Sequence, residues 1–310
     1  MSAPTTKYPN NPCVAIIALG GYAPDEAAFA NGITYLETQG CKVKNFYVPS
    51  EKFFRFGGTD EARVKQLYAA IDDAEVDIVL MLRGGYGMSR LLPLLDFHRI
   101  AASGKKFVGH SDFTAFQLAV YAKTQHITWQ GPALGEDFGT EGLPDDIMLA
   151  CFDDLCREQG EGTGWRLAAN EMPKPVKVNN DVLWGGNLAV LTSLLGTPYF
   201  PMVKGGVLFL EDVGEHPYKI ERMLTQLFNA GVLKQQKAIV FGQFTSYKLV
   251  THDKGFKLNT VIERLRSQLK IPVLTGLPFG HVATKVLLPI GAKVDLATDG
   301  RDAFLVWGHV

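Results

Sequence analysis

The chain has 310 residues, 46% hydrophobic and 20% charged, which is enough apolar surface for one or two packed cores and excludes a mainly disordered chain. Lysine plus arginine, 31, nearly balances aspartate plus glutamate, 32, without the basic excess of a nucleic-acid binder. No apolar run reaches the ~20 residues of a membrane span, and Met1 to Asn11 lacks the basic-then-apolar profile of a signal peptide, so the expectation is a cytoplasmic protein that partners neither membrane nor nucleic acid.

Val14 to Leu19 is a short apolar run ending in Gly20-Gly21 and reads as a buried strand followed by a turn. Helical spacing follows over Asp25 to Thr38, a strand-like alternation over Lys42 to Val48, and a capped helix over Thr59 to Asp72. Asp77 to Leu82 is the next buried strand, Met88 to Leu95 is helical, Lys106 to Gly109 is strand-like and Asp112 to Lys123 is helical again. Strands alternating with helices at this spacing predict βα units on a parallel sheet, whose ligand lies beyond the carboxyl ends of the strands.

Glu158 to Pro175 is rich in Gly, Glu and Pro and reads as a crossing between domains. Beyond Val176 come short β-type runs at Val207 to Leu210, Ala238 to Phe241, Val286 to Leu288 and Phe304 to Trp307. Helices are predicted at Gly186 to Leu195, Tyr218 to Phe228 and Leu258 to Leu269. The fold class is therefore α/β, a Rossmann-like parallel-sheet domain over residues 1–160, a linker over 161–178, and a smaller mixed α/β domain over 179–310.

The four cysteines, Cys13, Cys41, Cys151 and Cys156, have neither CxxC spacing nor a histidine at metal-ligand distance, so they read as free thiols and no metal or cofactor is expected. Phe107 to Thr114 reads as a strand, a tight turn and a helix start, with Ser111 pushed out where free N–H groups favour developing negative charge. Taken alone, the same segment is also what an N-cap at Ser111 or Asp112 looks like. Arg83-Gly84-Gly85-Tyr86-Gly87 follows a strand and can bring backbone N–H groups against a ligand, or be a plain turn. It matches neither the Walker A nor the dinucleotide pattern. Glu211-Asp212 ends an apolar strand with Glu215 close behind, and His281 sits in a Leu-Pro-Phe-Gly-His turn.

These segments together carry a resemblance. MLRGGYGMSRLLPLLD (81–96), GHSDFTA (109–115), GPAL (131–134), GGNLAVLTSLLGTP (185–198), LFLEDVGEHPYKIERMLTQL (208–227), GLPFGH from Gly276 and the LPIGAKV that follows it occur in the order found in the LD-carboxypeptidase family of serine peptidases, which includes the microcin C self-immunity peptidases. Where that family often has an Ala-Pro-Ser turn after the first strand, residues 18–24 read Ala-Leu-Gly-Gly-Tyr-Ala-Pro.

The resemblance implies a Ser-Glu-His triad of Ser111, Glu211 and His281, split between the two domains, with Glu215 the rival acid. It implies an acyl-enzyme route that releases terminal D-alanine from murein tetrapeptides during peptidoglycan recycling, in a homodimer. Backbone N–H groups of Gly85 and Asp112 are the expected oxyanion hole, and Arg83 and Tyr86 the expected substrate contacts, Arg83 for the terminal carboxylate. Two rival functions share the scaffold. One is hydrolysis of microcin-type nucleotide conjugates, for which Trp184 would be the adenine platform if it were not core; the other is a peptide-binding module without catalysis.

Overall fold

A computed structural model describes residues 11–168 and 175–310. Its strands are β1 (Cys13–Ile17), β2 (Lys42–Asn45), β3 (Ile78–Met81), β4 (Lys106–Gly109), β5 (Thr128–Gln130), β6 (Gly162–Arg166), β7 (Lys177–Asn187), β8 (Val207–Val213), β9 (Ala238–Thr245), β10 (Val273–Leu274), β11 (Leu288–Ile290), β12 (Lys293–Asp299) and β13 (Asp302–Val306). The helices are α1 (Glu26–Thr38), α2 (Asp60–Asp72), α3 (Met88–Leu91), α4 (Phe97–Ala102), α5 (Thr114–Thr124), α6 (Asp146–Arg157), α7 (Leu188–Ser193), α8 (Pro217–Asn229) and α9 (Leu258–Gln268).

The first sheet runs β11-β5-β4-β3-β1-β2, parallel except for β11. Strands β1 and β3 are buried at every position, as a parallel sheet covered on both faces requires. Successive side chains divide between two cores: Cys13, Ala15 and Ile17 join the one containing α2 and α5 residues, and Val14 and Ile16 join the one containing Leu36 of α1 and Phe152 of α6. Each fully buried Ile, Val or Leu contributes about 1.5–3 kcal/mol relative to an exposed one. The helices start where the sequence signals them: Asp25 accepts from the Ala28 N–H and Thr59 from the Ala62 N–H.

The second sheet runs β10-β9-β8-β7-β12-β13-β6. Its first four strands are parallel and its last four pair antiparallel. The larger core is continuous from the α5 face of the first sheet into β7, β8 and β9, so the modules share one apolar interior.

Chain order and sheet membership diverge at two places. The stretch expected as a linker over 161–178 begins with β6, which pairs with β13, and ends inside β7; residues 169–174 lie outside the described ones. The apolar run near Val286 leads into β11, which returns to the first sheet against β5. His281 therefore sits on a segment anchored at one end by β10 in the second sheet and at the other by β11 in the first. Elements that were not predicted include β5, β7, β12 and α6.

One ion pair fixes this crossing. Lys285 Nζ lies 2.6 Å from Asp137 Oδ1, with the two side chains 2% and 4% exposed, and Thr284 Oγ1 donates to Asp145 Oδ2 at 2.6 Å. Lys285→Ala leaves the Asp137 charge buried without its partner and is expected to cost about 3–5 kcal/mol, measured by denaturant unfolding. The double variant Lys285→Met, Asp137→Asn should recover much of that loss, because Asn still accepts from the Ala133 N–H that now donates to Asp137.

Candidate active site

The carboxyl end of β4 delivers His110 and Ser111 to the head of the first sheet. Ser111 has φ +59°, a left-handed conformation that costs a non-glycine residue energy and is found in strained turns that display a side chain at the head of a sheet. The turn continues through a single 3₁₀ turn into α5, so neither Ser111 nor Asp112 is the cap of that helix. Asp112 instead reaches across to accept from the Met88 N–H at 2.8 Å, which ties the glycine loop after β3 to the serine turn. Burial pushes its carboxyl up to about 6, against the Met88 hydrogen bond and the charges of Arg63 and Arg55.

The glycine loop is shaped by two different demands. A Cβ on Gly84 would lie 2.7 Å from Ser111 Oγ, so close approach to the serine excludes a side chain at 84. Gly85 is required for another reason, its φ of +101°. The Gly84 carbonyl accepts from the Gly21 N–H at 2.9 Å. In a trans peptide the Gly85 N–H then points the opposite way, away from that turn.

From the second sheet come the acid and the histidine. Glu211, near the end of β8, is fully buried, and its Oε2 lies 2.8 Å from His281 Nδ1. The His281 ring packs at 72° to the His110 ring with centroids 5.1 Å apart, which sets it beside the serine turn. Among the described residues Ser111 Oγ makes no hydrogen bond to His281, a contact that in free hydrolases often closes only on substrate. Burial pulls the His281 imidazole down, but the Glu211 hydrogen bond and the charges of Glu211 and Glu136 outweigh burial and Lys285 and raise it above its ordinary 6.5. Glu215, the rival acid, pairs with Lys219 at 3.5 Å.

Asn187 completes the acid's surroundings and was not singled out from sequence as a site residue. Its Nδ2 donates to Glu211 Oε1 and to Asp212 Oδ1, both at 3.1 Å, while its Oδ1 caps α7 by accepting from the Val190 N–H. An Asn ahead of an apolar run is a cap signal, but the helix expected from Gly186 placed Asn187 inside it, whereas α7 starts at Leu188. Burial, with the neighbouring Glu211 charge, pushes Asp212 up to about 6 despite hydrogen bonds from Val213, Ala189 and Asn187.

Glu136 is the second residue that sequence gave no reason to choose. It stands on a single π-helical turn, Leu134–Phe138, after β5, with Oε2 3.5 Å from His110 Nε2 and Oε1 3.8 Å from Arg83 Nε. Burial pushes its carboxyl up, yet the contact with His110 and the charges of His110, Arg83 and His281 hold it at about 2. Arg83, the expected carboxylate contact, thus stands beside Glu136. Tyr86 is half exposed and packs near Phe56 with Arg55 over its ring. Trp184 is fully buried and donates to Gln236, so it is core and offers no face to a ligand. Among the described residues no three His, Cys, Asp or Glu side chains gather as a metal site, and no helix is long and apolar enough to cross a membrane.

Similarity to known proteins extends over most of the chain. The LD-carboxypeptidase N-terminal domain matches residues 14–131 and the LD-carboxypeptidase C-terminal domain residues 181–296. A Bacillus subtilis protein named "Probable murein peptide carboxypeptidase" is 32% identical over 285 residues, 92% of this chain and 89% of that one. The microcin C7 self-immunity protein of Escherichia coli is 27% identical, covering 88% of this chain and 86% of that one. The crystal structure of muramoyltetrapeptide carboxypeptidase from Oxalobacter formigenes superposes with a TM-score of 0.88 and 42% identity, covering 96% of this chain and 98% of that chain.

Proposed function

The chain belongs to the LD-carboxypeptidase family, and from that premise we propose that it hydrolyses the L,D-peptide bond before the terminal D-alanine of murein tetrapeptides, through an acyl-enzyme on Ser111. The observation that carries this reading is the 2.8 Å contact of buried Glu211 with His281, next to a serine held at positive φ. His281 takes the Ser111 proton as Oγ bonds to the scissile carbonyl carbon. The C–N bond then breaks and the same proton goes to the leaving nitrogen. Water, deprotonated by His281, then releases the peptide acid and restores the serine.

Glu211 holds Nδ1 protonated, so that Nε2 is free to act as base, and stabilises the imidazolium. The oxyanion is assigned to the N–H groups of Asp112 and Gly85. The second assignment is supported by the carbonyl of the same peptide being turned toward Gly21. Loss of one such donor typically costs about 2.7–4 kcal/mol of transition-state stabilisation. The proposed setting is cytoplasmic recycling of cell-wall peptides by a homodimer, a setting that rests on the family resemblance.

The test is incubation of the purified protein with a murein tetrapeptide, following D-alanine by mass spectrometry. Release supports the reading. No release from the tetrapeptide, with cleavage of an aminoacyl adenylate analogue, would replace it with the activity suggested by the microcin relatives. The buried Trp184 speaks against that second activity, because it leaves the adenine ring without the aromatic platform considered from sequence.

A further inference from the structure

Strand β1 is followed by β2 on one side of it in the sheet and β3 on the other, so the chain direction switches between β1 and β3, where an open α/β sheet forms its ligand crevice. A groove of about 250 Å³ lies there. Its apolar walls are Ala23 and Pro24 from the turn ahead of α1 and Ala28 and Phe29 from its first turn, with Leu82 just beyond β3. Arg83 and Glu136 also line it, and they mark the end nearest the nucleophile. Arg83 adjoins Gly84, which abuts Ser111 Oγ, and Glu136 touches His110, the residue before Ser111.

The charged end is built to hold a ligand. Arg83 Nη1 sits over Gly21, where a Cβ would come within 3.0 Å of it; the Gly20-Gly21 turn that departs from the family pattern makes this room. The Arg83–Glu136 separation of 3.8 Å, with side chains 31% and 39% exposed, is long beside the ~2.7–2.9 Å of a charge-assisted hydrogen bond. Each partner therefore retains capacity for another group. A cation and an anion side by side match a carboxylate beside an amine, the two groups that flank the α-carbon of a departing amino acid.

We propose that this groove is the leaving-group subsite, with Arg83 holding the terminal carboxylate, Glu136 holding the amine freed at the scissile bond, and the apolar walls receiving the side chain of a terminal D-residue larger than alanine. The inference rests on the carboxypeptidase reading and adds a substrate class to it: peptides ending in a bulky apolar D-amino acid. A methyl group would leave most of the groove unfilled, whereas a branched aliphatic side chain would bury more apolar surface against walls that include Phe29 and Leu82. Asp25 adds a carboxylate to the lining, so an acidic side chain is disfavoured.

The experiment compares three tetrapeptides alike except for a terminal D-alanine, D-leucine or D-glutamate, with each amino acid followed by mass spectrometry. D-leucine should leave with a kcat/KM equal to or above that of D-alanine, and D-glutamate with one at least about tenfold lower. Ala28→Phe, which fills the groove, should lower the D-leucine to D-alanine ratio by about tenfold or more. Arg83→Ala should raise KM for both peptides. Release of D-alanine with D-leucine more than tenfold slower overturns the inference and leaves the carboxypeptidase reading standing. An unchanged ratio in folded Ala28→Phe overturns the role of the groove. No release from any peptide overturns both.

Discussion

Ser111→Ala is expected to lower kcat for D-alanine release by about 10⁴-fold or more, with substrate binding largely retained. The substitution removes only Oγ. The Cβ that already abuts Gly84 stays, and alanine meets the same backbone demand at φ +59° as serine does, so the fold and its thermal midpoint should hold. Without the hydroxyl no acyl-enzyme can form, and turnover falls to what the oxyanion donors and positioning give to direct attack by water. Mass spectrometry of the intact protein under rapid quench provides the second readout, since a transient adduct should appear on the wild type and be missing from the variant. Activity within tenfold of wild type would remove Ser111 from the mechanism.

Glu211→Gln should cost about 10⁴-fold in kcat while preserving shape, because either orientation of the amide breaks the arrangement. If the glutamine oxygen faces His281, its NH₂ meets the Nδ2 donor of Asn187, which now gives a hydrogen bond to Glu211 at 3.1 Å. If the NH₂ faces His281, Nδ1 must accept, and the ring proton moves to Nε2, where the base should be. The pH dependence separates this from a merely structural loss. In the wild type His281 is raised above 6.5, so kcat/KM should fall as pH drops through a value above 6.5. Removing the Glu211 charge leaves burial, Glu136 and Lys285 acting on the ring, and the residual activity should lose its acid limb at lower pH than the wild type. An acid limb at the same pH in both proteins would argue that another group is the base.

Much of the first sheet was legible because its determinants are local. Strands β1 and β3 are short unbroken apolar runs, and α1 and α2 begin at side chains that cap within three residues. The serine, acid and histidine stood out by sitting in turns or at strand ends, and the six ordered motifs linked them to a family. What escaped depends on contacts distant in sequence. Lys285 and Asp137 pair across 148 positions, and nothing local marks either as buried. Strand β7 mixes an exposed antiparallel half with a buried parallel half that contains Gly185-Gly186, so neither alternation nor a continuous run appears. Glu136 lies on a turn without periodicity, and its meaning comes only from Arg83 and His110 folding onto it.

The segment strung from β10 to β11 fastens the two modules to each other. His281 rides on a clasp fastened to one module at Val273–Leu274 and to the other at Leu288–Ile290, with Lys285 pinning the second fastening. A partly assembled chain, with either module alone or the two undocked, cannot present the histidine to the serine. On the proposed mechanism, hydrolysis then requires both modules in place, and loss of activity would report their separation even where each sheet is still intact.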